Sequence, residues 1–385
     1  MSLRGADPGV ARGRPPRVDR VKPRRSSRPL VVSAFGTRPQ LIKLSSVWTV
    51  LEQHFRSVLI DSGQHYDYNM AGVFYSGGKI RRPDMHLGIK GGTAGTQVAR
   101  IADAMDRALR QLRPDALITF GDTSTTAGAA LAGAYRNIPV AHVEAGLRSF
   151  DQSVPEEKNR IVADHLATWR FCPTGTAIAN LKREGIADGV HGVGDVLYES
   201  FCQSRPRGRS REIDESYGVS LGEYYLVTCH RAETVDDPER LKKLVAILAS
   251  LDRRTIFAVH PRARKNLKRY GFLPLLKRNL NLMTTPPLDY TTTLALLKGA
   301  RAVLTDSGGL QREAYWSRTP CLTLRDQTEW VETVTCGANH VVGLNLASVR
   351  TALSRTWQIR PVADKCFRRR HASRRIAARL NADLR

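Results

Sequence analysis

The strongest constraint on this chain is a rhythm that runs twice. Short apolar runs at residues 30–35, 58–60, 116–120 and 139–143 alternate with stretches of helical periodicity such as 96–111 and 125–135. Apolar runs of that length, separated by amphipathic helices, mean strands buried on both faces, and hence a parallel sheet covered by helices on either side. A polar, Arg-rich gap at 204–218 interrupts the pattern, which restarts with runs at 224–228, 255–259, 282–284, 302–304 and 320–324. The expected fold class is therefore α/β: two Rossmann-like doubly wound domains, with a deep cleft between them at the carboxyl ends of both sheets. A length of 385 residues suits two such cores. The expected boundaries are a disordered basic tail at 1–28, a first domain at 29–200, a second at 201–360 and a basic amphipathic helix at 361–385, with its periodic part at 362–380.

The formal charge of +24 is concentrated at the ends. Residues 1–28 hold nine Arg or Lys against Asp7 and Asp19, and residues 355–385 hold ten against Asp364 and Asp383. The basic runs have no interleaved aromatics and no recognisable reading module, so nucleic acid is not the expected partner. A basic body still suits a polyanionic small substrate such as a nucleotide sugar. No apolar run approaches the length of a membrane span, no membrane partner is expected, and the N-terminus lacks a signal-peptide core. Six cysteines with no C-x-x-C pair fit a reducing, cytoplasmic setting.

The chemistry-bearing residues stand where apolar runs end. After the first run comes Gly36-Thr37-Arg38-Pro39-Gln40-Leu41-Ile42-Lys43, a strand-to-helix turn in which Arg38 and Lys43 can face an anion. Gly121-Asp122-Thr123-Ser124 ends another run, and the next ends in His142-Val143-Glu144-Ala145-Gly146-Leu147-Arg148. Pro155-Glu156-Glu157-Lys158-Asn159-Arg160 follows. Asp122, Glu144 and Glu156 thus converge on one sheet edge, where carboxylates can raise one another's proton affinity and act as acid and base. No histidine has ligand spacing to them, so no metal is expected. In the second half, His230-Arg231 and His260-Pro261-Arg262 follow strands, as does Asp306-Ser307-Gly308-Gly309-Leu310-Gln311-Arg312-Glu313. Free N–H groups at Ser307, Gly308 and Gly309 suit a diphosphate, and Glu313, one turn in, can accept from ribose hydroxyls. Neither a P-loop nor a dinucleotide fingerprint is present.

In order and content these segments resemble the non-hydrolysing UDP-N-acetylglucosamine 2-epimerase family. The matching motifs are at 36–43, 62–65, 121–126, 142–148, 155–160, 230–233, 306–313 and 325–337, and the likeness spans about residues 30–343. The resemblance implies a glycosyltransferase-B-type arrangement, a last helix crossing back to the first domain, homodimers, and UDP held mainly by the second domain. It implies catalysis by Asp122, Glu144, Glu156 and His230. Substrate contacts are expected from Arg38, Gln40, Lys43, Arg160, His260, Ser307, Gly308, Gly309 and Glu313. No cofactor is required, because elimination and re-addition of UDP leaves the sugar's oxidation state unchanged. Gln40 and Arg312 stand where many members carry Glu. Together with Asp326-Gln327-Thr328-Glu329-Trp330, Gln40 is similar to the branch acting on UDP-2,3-diacetamido-2,3-dideoxyglucuronate. The expectation is that Gln40 and Arg312 read the charge of the sugar, and the neutral and acidic substrates stay open. A hydrolysing relative and a nucleic-acid-binding protein using the basic ends are the alternatives.

Overall fold

The computed structural model describes residues 28–64, 80–206 and 211–385. Apart from Arg28, the basic tail expected at 1–28 lies outside the described residues, as does His65 of the 62–65 motif. The first sheet contains β1 (Leu30–Phe35), β2 (Arg56–Asp61), β3 (Met85–His86), β4 (Ala116–Phe120), β5 (Val140–Val143), β6 (Trp169–Cys172) and β7 (Val190–Gly192). The second contains β8 (Tyr224–Cys229), β9 (Arg254–Val259), β10 (Leu282–Thr285), β11 (Ala302–Thr305), β12 (Cys321–Thr323) and β13 (Asn339–Val341).

All pairings are parallel, in the orders β3-β2-β1-β4-β5-β6-β7 and β10-β9-β8-β11-β12-β13. β1 sets the register, with Val31 opposite both Ser57 and Ala116. Strand order reverses between β1 and β4, and again between β8 and β11. The crevices where doubly wound sheets hold ligands therefore open at Gly36 and Gly121 in one domain and at His230 and Asp306 in the other.

Local chemistry explains how the first crevice is built. Thr37 and Gln40 form a capping box at the start of the helix Arg38–His54, with Pro39 in its first turn. Gly36 is obligatory: a Cβ there would stand 2.0 Å from Ser62 Oγ and 2.3 Å from Thr125 Oγ1.

The two sheets share one hydrophobic core. It runs from Phe35 and Trp48 through Val196 and Phe201 to Leu226, Leu310 and Ile376. The helix Val196–Ser204 packs on the helices Arg38–His54, Tyr290–Gly299 and Gly308–Ser317, so the boundary expected at residue 200 falls inside an element that fastens the domains together. The last helix, Ala372–Asp383, packs on Arg38–His54 and so crosses back to the first domain. It starts ten residues later than its periodicity predicts. Phe367 is buried against Tyr315, Trp316 and Trp330 of the second domain, which holds the preceding segment out of the helix. Among the described residues no helix is long and apolar enough to cross a membrane.

Candidate active site

The three carboxylates share the carboxyl edge of the first sheet but sit in three different environments. Asp122 follows β4 and keeps 24% side-chain exposure beside the Arg160 guanidinium. Burial pushes its carboxyl up, but Arg160, then Lys43 and Arg231, outweigh burial and hold it below the usual range. Glu144 follows β5 and is sealed, with 6% exposure; its Oε1 lies 2.6 Å from Lys43 Nζ and its Oε2 2.9 Å from Arg312 Nη1. Again burial is outweighed, by Arg312 and then Lys43, and the group stays ionised below its ordinary range. Glu144 also sits at φ 72°, in the left-handed region that a non-glycine residue adopts only when its surroundings demand it. Glu156, in the first turn of the helix Pro155–Leu166, is half-buried and makes no ion pair among the described residues. It is the carboxylate least committed to the protein.

The nucleotide-type cradle forms across the cleft. Ser307 caps the helix Gly308–Ser317 by accepting from Leu310 N–H. A Cβ at Gly308 would come within 2.7 Å of Glu329 Oε1 and Trp330 Nε1, so only glycine leaves this helix start open. Gly309 sits beside it with ordinary contacts. Glu313, one turn in, is buried. Burial raises its carboxyl above the usual range, partly offset by Tyr290, Arg312 and Arg38, the last reaching over from the first domain. Arg38 itself is half-buried at the start of its helix, its charge opposed by burial and favoured by Asp289 and Glu313.

Asp306 organises the β8 turn. Its Oδ2 accepts from the backbone N–H groups of His230 (2.7 Å) and Arg231 (2.8 Å), and its Oδ1 lies 2.9 Å from His230 Nδ1. Burial opposes the charged imidazole, but Asp306 raises His230 above its ordinary value, while His230 and the two N–H groups overcome burial to hold Asp306 well below its own. The His230 ring keeps 38% exposure and stands 5.8 Å, centroid to centroid, from His260. His260 Nδ1 accepts from Arg262 N–H and caps the helix Pro261–Arg269, so one ring nitrogen is occupied structurally.

Several expected substrate contacts are instead internal braces. Gln40 is corrected: its Oε1 accepts from the N–H groups of Gly36 and Thr37, its Nε2 donates to Phe120 O and Thr126 Oγ1, and the side chain is buried. The same geometry removes it from reading sugar charge. Arg312 is corrected likewise. Its guanidinium bridges Glu144 and Asp195 (2.6 Å) and stacks 3.7 Å over the Trp330 ring, and its Nε donates to Gly308 O. Lys43 is buried against Glu144, and Arg160 is buried among Asp122, Glu157 and Glu329. Both therefore support the carboxylates from behind.

Sequence reasoning left out Asp195 and gave Glu329 no role beyond its place in the 326–330 motif. Asp195 is a helix N-cap to any local reading, yet it is an Arg312 partner; burial raises its carboxyl, and Arg312 only partly offsets this. Glu329 gathers Arg325 (2.7 Å), Arg160 (3.4 Å) and Arg231 (3.6 Å), and despite burial these hold it well below the carboxylate range. The Arg231 guanidinium carries a buried Nη1 without a hydrogen-bond partner among the described residues. Among the described residues no group of His, Cys, Asp or Glu is arranged to hold a metal ion.

A sequence profile described as UDP-N-acetylglucosamine 2-epimerase matches residues 50–381. The chain belongs to that epimerase family. A UDP-N-acetylglucosamine 2-epimerase homolog of Methanococcus maripaludis is 40% identical over 327 residues, covering 84% of this chain and 92% of its own length. The UDP-2,3-diacetamido-2,3-dideoxy-D-glucuronate 2-epimerase of Pseudomonas aeruginosa is 38% identical over 341 residues, covering 85% and 93%. A crystal structure of the Methanocaldococcus jannaschii UDP-GlcNAc 2-epimerase, in complex with UDP-GlcNAc and UDP, matches with a TM-score of 0.83 at 36% identity, over 92% of this chain and 99% of that one. Likeness to a plant UDP-glucosyltransferase, with a TM-score of 0.57 at 12% identity, is one of fold alone. The epimerase-family chain thus has two Rossmann-like domains in the glycosyltransferase-B arrangement.

Proposed function

We propose that this protein is a non-hydrolysing UDP-sugar 2-epimerase that interconverts UDP-N-acetylglucosamine and UDP-N-acetylmannosamine. The observation carrying this reading is the Arg312 bridge. One guanidinium ties the nucleotide-type helix start, through Gly308 O, to the carboxylate edge, through Glu144. A diphosphate at that helix and a sugar at that edge then meet within one molecule's length.

The chemistry follows from charge placement. The hydrogen on carbon 2 has no adjacent carbonyl and is not acidic. As the bond from carbon 1 to the UDP oxygen breaks, positive charge grows at carbon 1 and acidifies that hydrogen. Asp122 and Glu156, the two carboxylates with exposed surface, are assigned to proton transfer at carbon 2. The sealed Glu144, held below the usual carboxylate range by Arg312 and Lys43, is assigned to electrostatic stabilisation of the cation. His230, Arg38, Arg231, Ser307, Gly308 and Gly309 receive the departing diphosphate, and Glu313 the ribose. Reprotonation of the glycal on the opposite face, followed by attack of the UDP oxygen on carbon 1, completes the inversion. Buried ion pairs closing the cleft support return of UDP in preference to capture by water.

With Gln40 and Arg312 both spent inside the protein, neither gives a reason to choose an acidic sugar, so the neutral substrate is our reading. We place the reaction in the cytoplasm, supplying precursors of surface polysaccharide, and in a homodimer whose mass light scattering would measure.

The test is incubation with UDP-N-acetylglucosamine in deuterated water. UDP-N-acetylmannosamine carrying deuterium at carbon 2, without accumulation of free UDP, is expected. Free N-acetylmannosamine with stoichiometric UDP would overturn the non-hydrolysing assignment. Turnover of only the diacetamido glucuronate would overturn the neutral substrate.

A further inference from the structure

Residues 253–288 are the longest stretch of the chain without a single Asp or Glu, and they carry nine Lys or Arg. The fold gathers these charges at one place. The helix Pro261–Arg269 begins at the cleft with His260 and runs back toward the amino ends of the strands. A short turn leads to the helix Leu273–Arg278, and the chain re-enters the sheet at β10. Lys268, Arg269, Lys277 and Arg278 are all exposed at this pole, opposite the cleft.

Two leucines stand among them in water, Leu275 at 51% and Leu280 at 89% exposure. Their neighbour Leu276 is buried, so the pole does have a core to which leucines can be committed. The carboxylates around these elements are already engaged: Asp252 accepts from the Tyr225 hydroxyl, Glu223 pairs with Arg253, and Asp236 binds Arg262 and Asn266. Among the described residues none of them pairs with the four exposed cations.

We propose that this pole of the second domain is a peripheral membrane-binding face for an anionic bilayer. Lys268, Arg269, Lys277 and Arg278 pair with lipid phosphates while Leu275 and Leu280 enter the headgroup layer. Aliphatic tips ringed by cations are what an interfacial surface needs: the charges gather anionic lipid, and the leucines gain by leaving water. A polynucleotide would instead be met by cations with exposed aromatic rings for base stacking. Here Tyr270 lies under the Arg269 guanidinium, 5.5 Å from the ring centroid, and Phe272 packs against buried apolar residues of the second domain. No span is involved, so the expectation of no membrane partner is revised only to contact at the surface. Docked this way, the protein would leave its cleft open to solvent, since the cleft is at the opposite ends of the strands.

The test is flotation of the full chain with vesicles of phosphatidylglycerol mixed with phosphatidylcholine, against pure phosphatidylcholine. Binding to the anionic vesicles that weakens with salt is expected. A triple variant, Lys268→Gln, Lys277→Gln and Arg278→Gln, should lower partitioning by roughly five-fold per cation, about 100-fold in all. The double variant Leu275→Ser, Leu280→Ser should lower it by at least about ten-fold at unchanged charge. Both variants should keep wild-type turnover and the wild-type urea midpoint, because the changed side chains lie outside the site and the core. Absence of wild-type binding to anionic vesicles would overturn the proposal. So would wild-type binding that both variants retain, since the basic tail or another surface would then be responsible. Tighter binding to poly(U) than to vesicles, insensitive to the leucine pair, would mark the face as one for polynucleotides and also overturn it.

Discussion

Arg312 offers the sharpest perturbation, because one side chain holds two buried carboxylates and both domains. Its guanidinium lies 2.9 Å from Glu144 and 2.6 Å from Asp195, with 2% exposure. Arg312→Met keeps the length and the stacking surface toward Trp330 but leaves two sealed carboxylates short of a partner. Each charge pair, taken as roughly 4 Å between charge centres at an effective dielectric near 20, is worth about 4 kcal/mol before desolvation. Breaking a buried pair from one side costs a net 3–5 kcal/mol or so. Lys43 still neutralises Glu144, which keeps the expected loss near the lower end, about 3 kcal/mol. With a urea slope of about 3 kcal/mol per molar, the unfolding midpoint should fall by about 1 M.

A second readout separates the site from mere stability. Arg312, together with Lys43, holds Glu144 below the usual carboxylate range against burial. Its removal raises the Glu144 pKa, so the acid limb of the pH–kcat/KM profile should move to higher pH. Arg312→Lys should recover the acid limb better than the midpoint, since one ammonium restores charge without the fork that spans both partners. The reasoning fails if Arg312→Met keeps the wild-type midpoint and the acid limb stays where it was.

Glu156→Gln should cut turnover by at least about 100-fold with little change in stability, because its carboxylate is half-exposed and makes no ion pair among the described residues. Glu144→Gln should lose both turnover and stability, as Lys43 and Arg312 are left facing an amide. Glu313→Ala should weaken UDP binding by about 1.5–3 kcal/mol and blunt discrimination against deoxy-UDP, both read by calorimetry. Gly308→Ala should push Glu329 and Trp330 from the helix start, costing about 1–3 kcal/mol in stability and most of the UDP affinity. For the His230–Asp306 pair the signs bracket a pH window. Asp306, held low, gives stability that disappears as pH falls through its folded value; His230, held high, gives stability lost as pH rises through its own. Asp306→Asn should flatten both slopes in urea unfolding curves recorded across pH.

What was legible in the sequence was what is decided locally. Strand runs, the Gly36 turn, the Ser307 cap and the convergence of three carboxylates on one edge each follow from a few adjacent residues and the parallel order. What was not legible was who faces whom across the cleft. Gln40 read as an uncharged substitute beside the substrate, but a capping box turns its amide inward, where Phe120 O is waiting. Arg312 read as a charge on the cleft wall, but helix geometry points it at Asp195, a residue 117 positions away that looks like an ordinary N-cap. Asp122, Glu144 and Glu156 looked equivalent as letters and differ only in how many cations three-dimensional packing assigns to each.

That distribution explains why so basic a body carries its acids where it does. Along the cleft, Lys43, Arg160 and Arg312 each find carboxylate partners among Glu144, Asp122, Glu157, Glu329 and Asp195, so none of these three cations is left unmatched. Spare donor capacity sits on the second domain's side: Arg231 has a buried Nη1 unpartnered among the described residues, and the His230 ring, paired through Nδ1 with Asp306, keeps 38% exposure. A diphosphate brings the acceptors that side lacks. In the proposed reaction its departure from carbon 1 would move negative charge toward Arg231 and His230, while Glu144 would face the positive charge left behind. On that proposal, binding and bond cleavage would draw on one electrostatic gradient across the cleft.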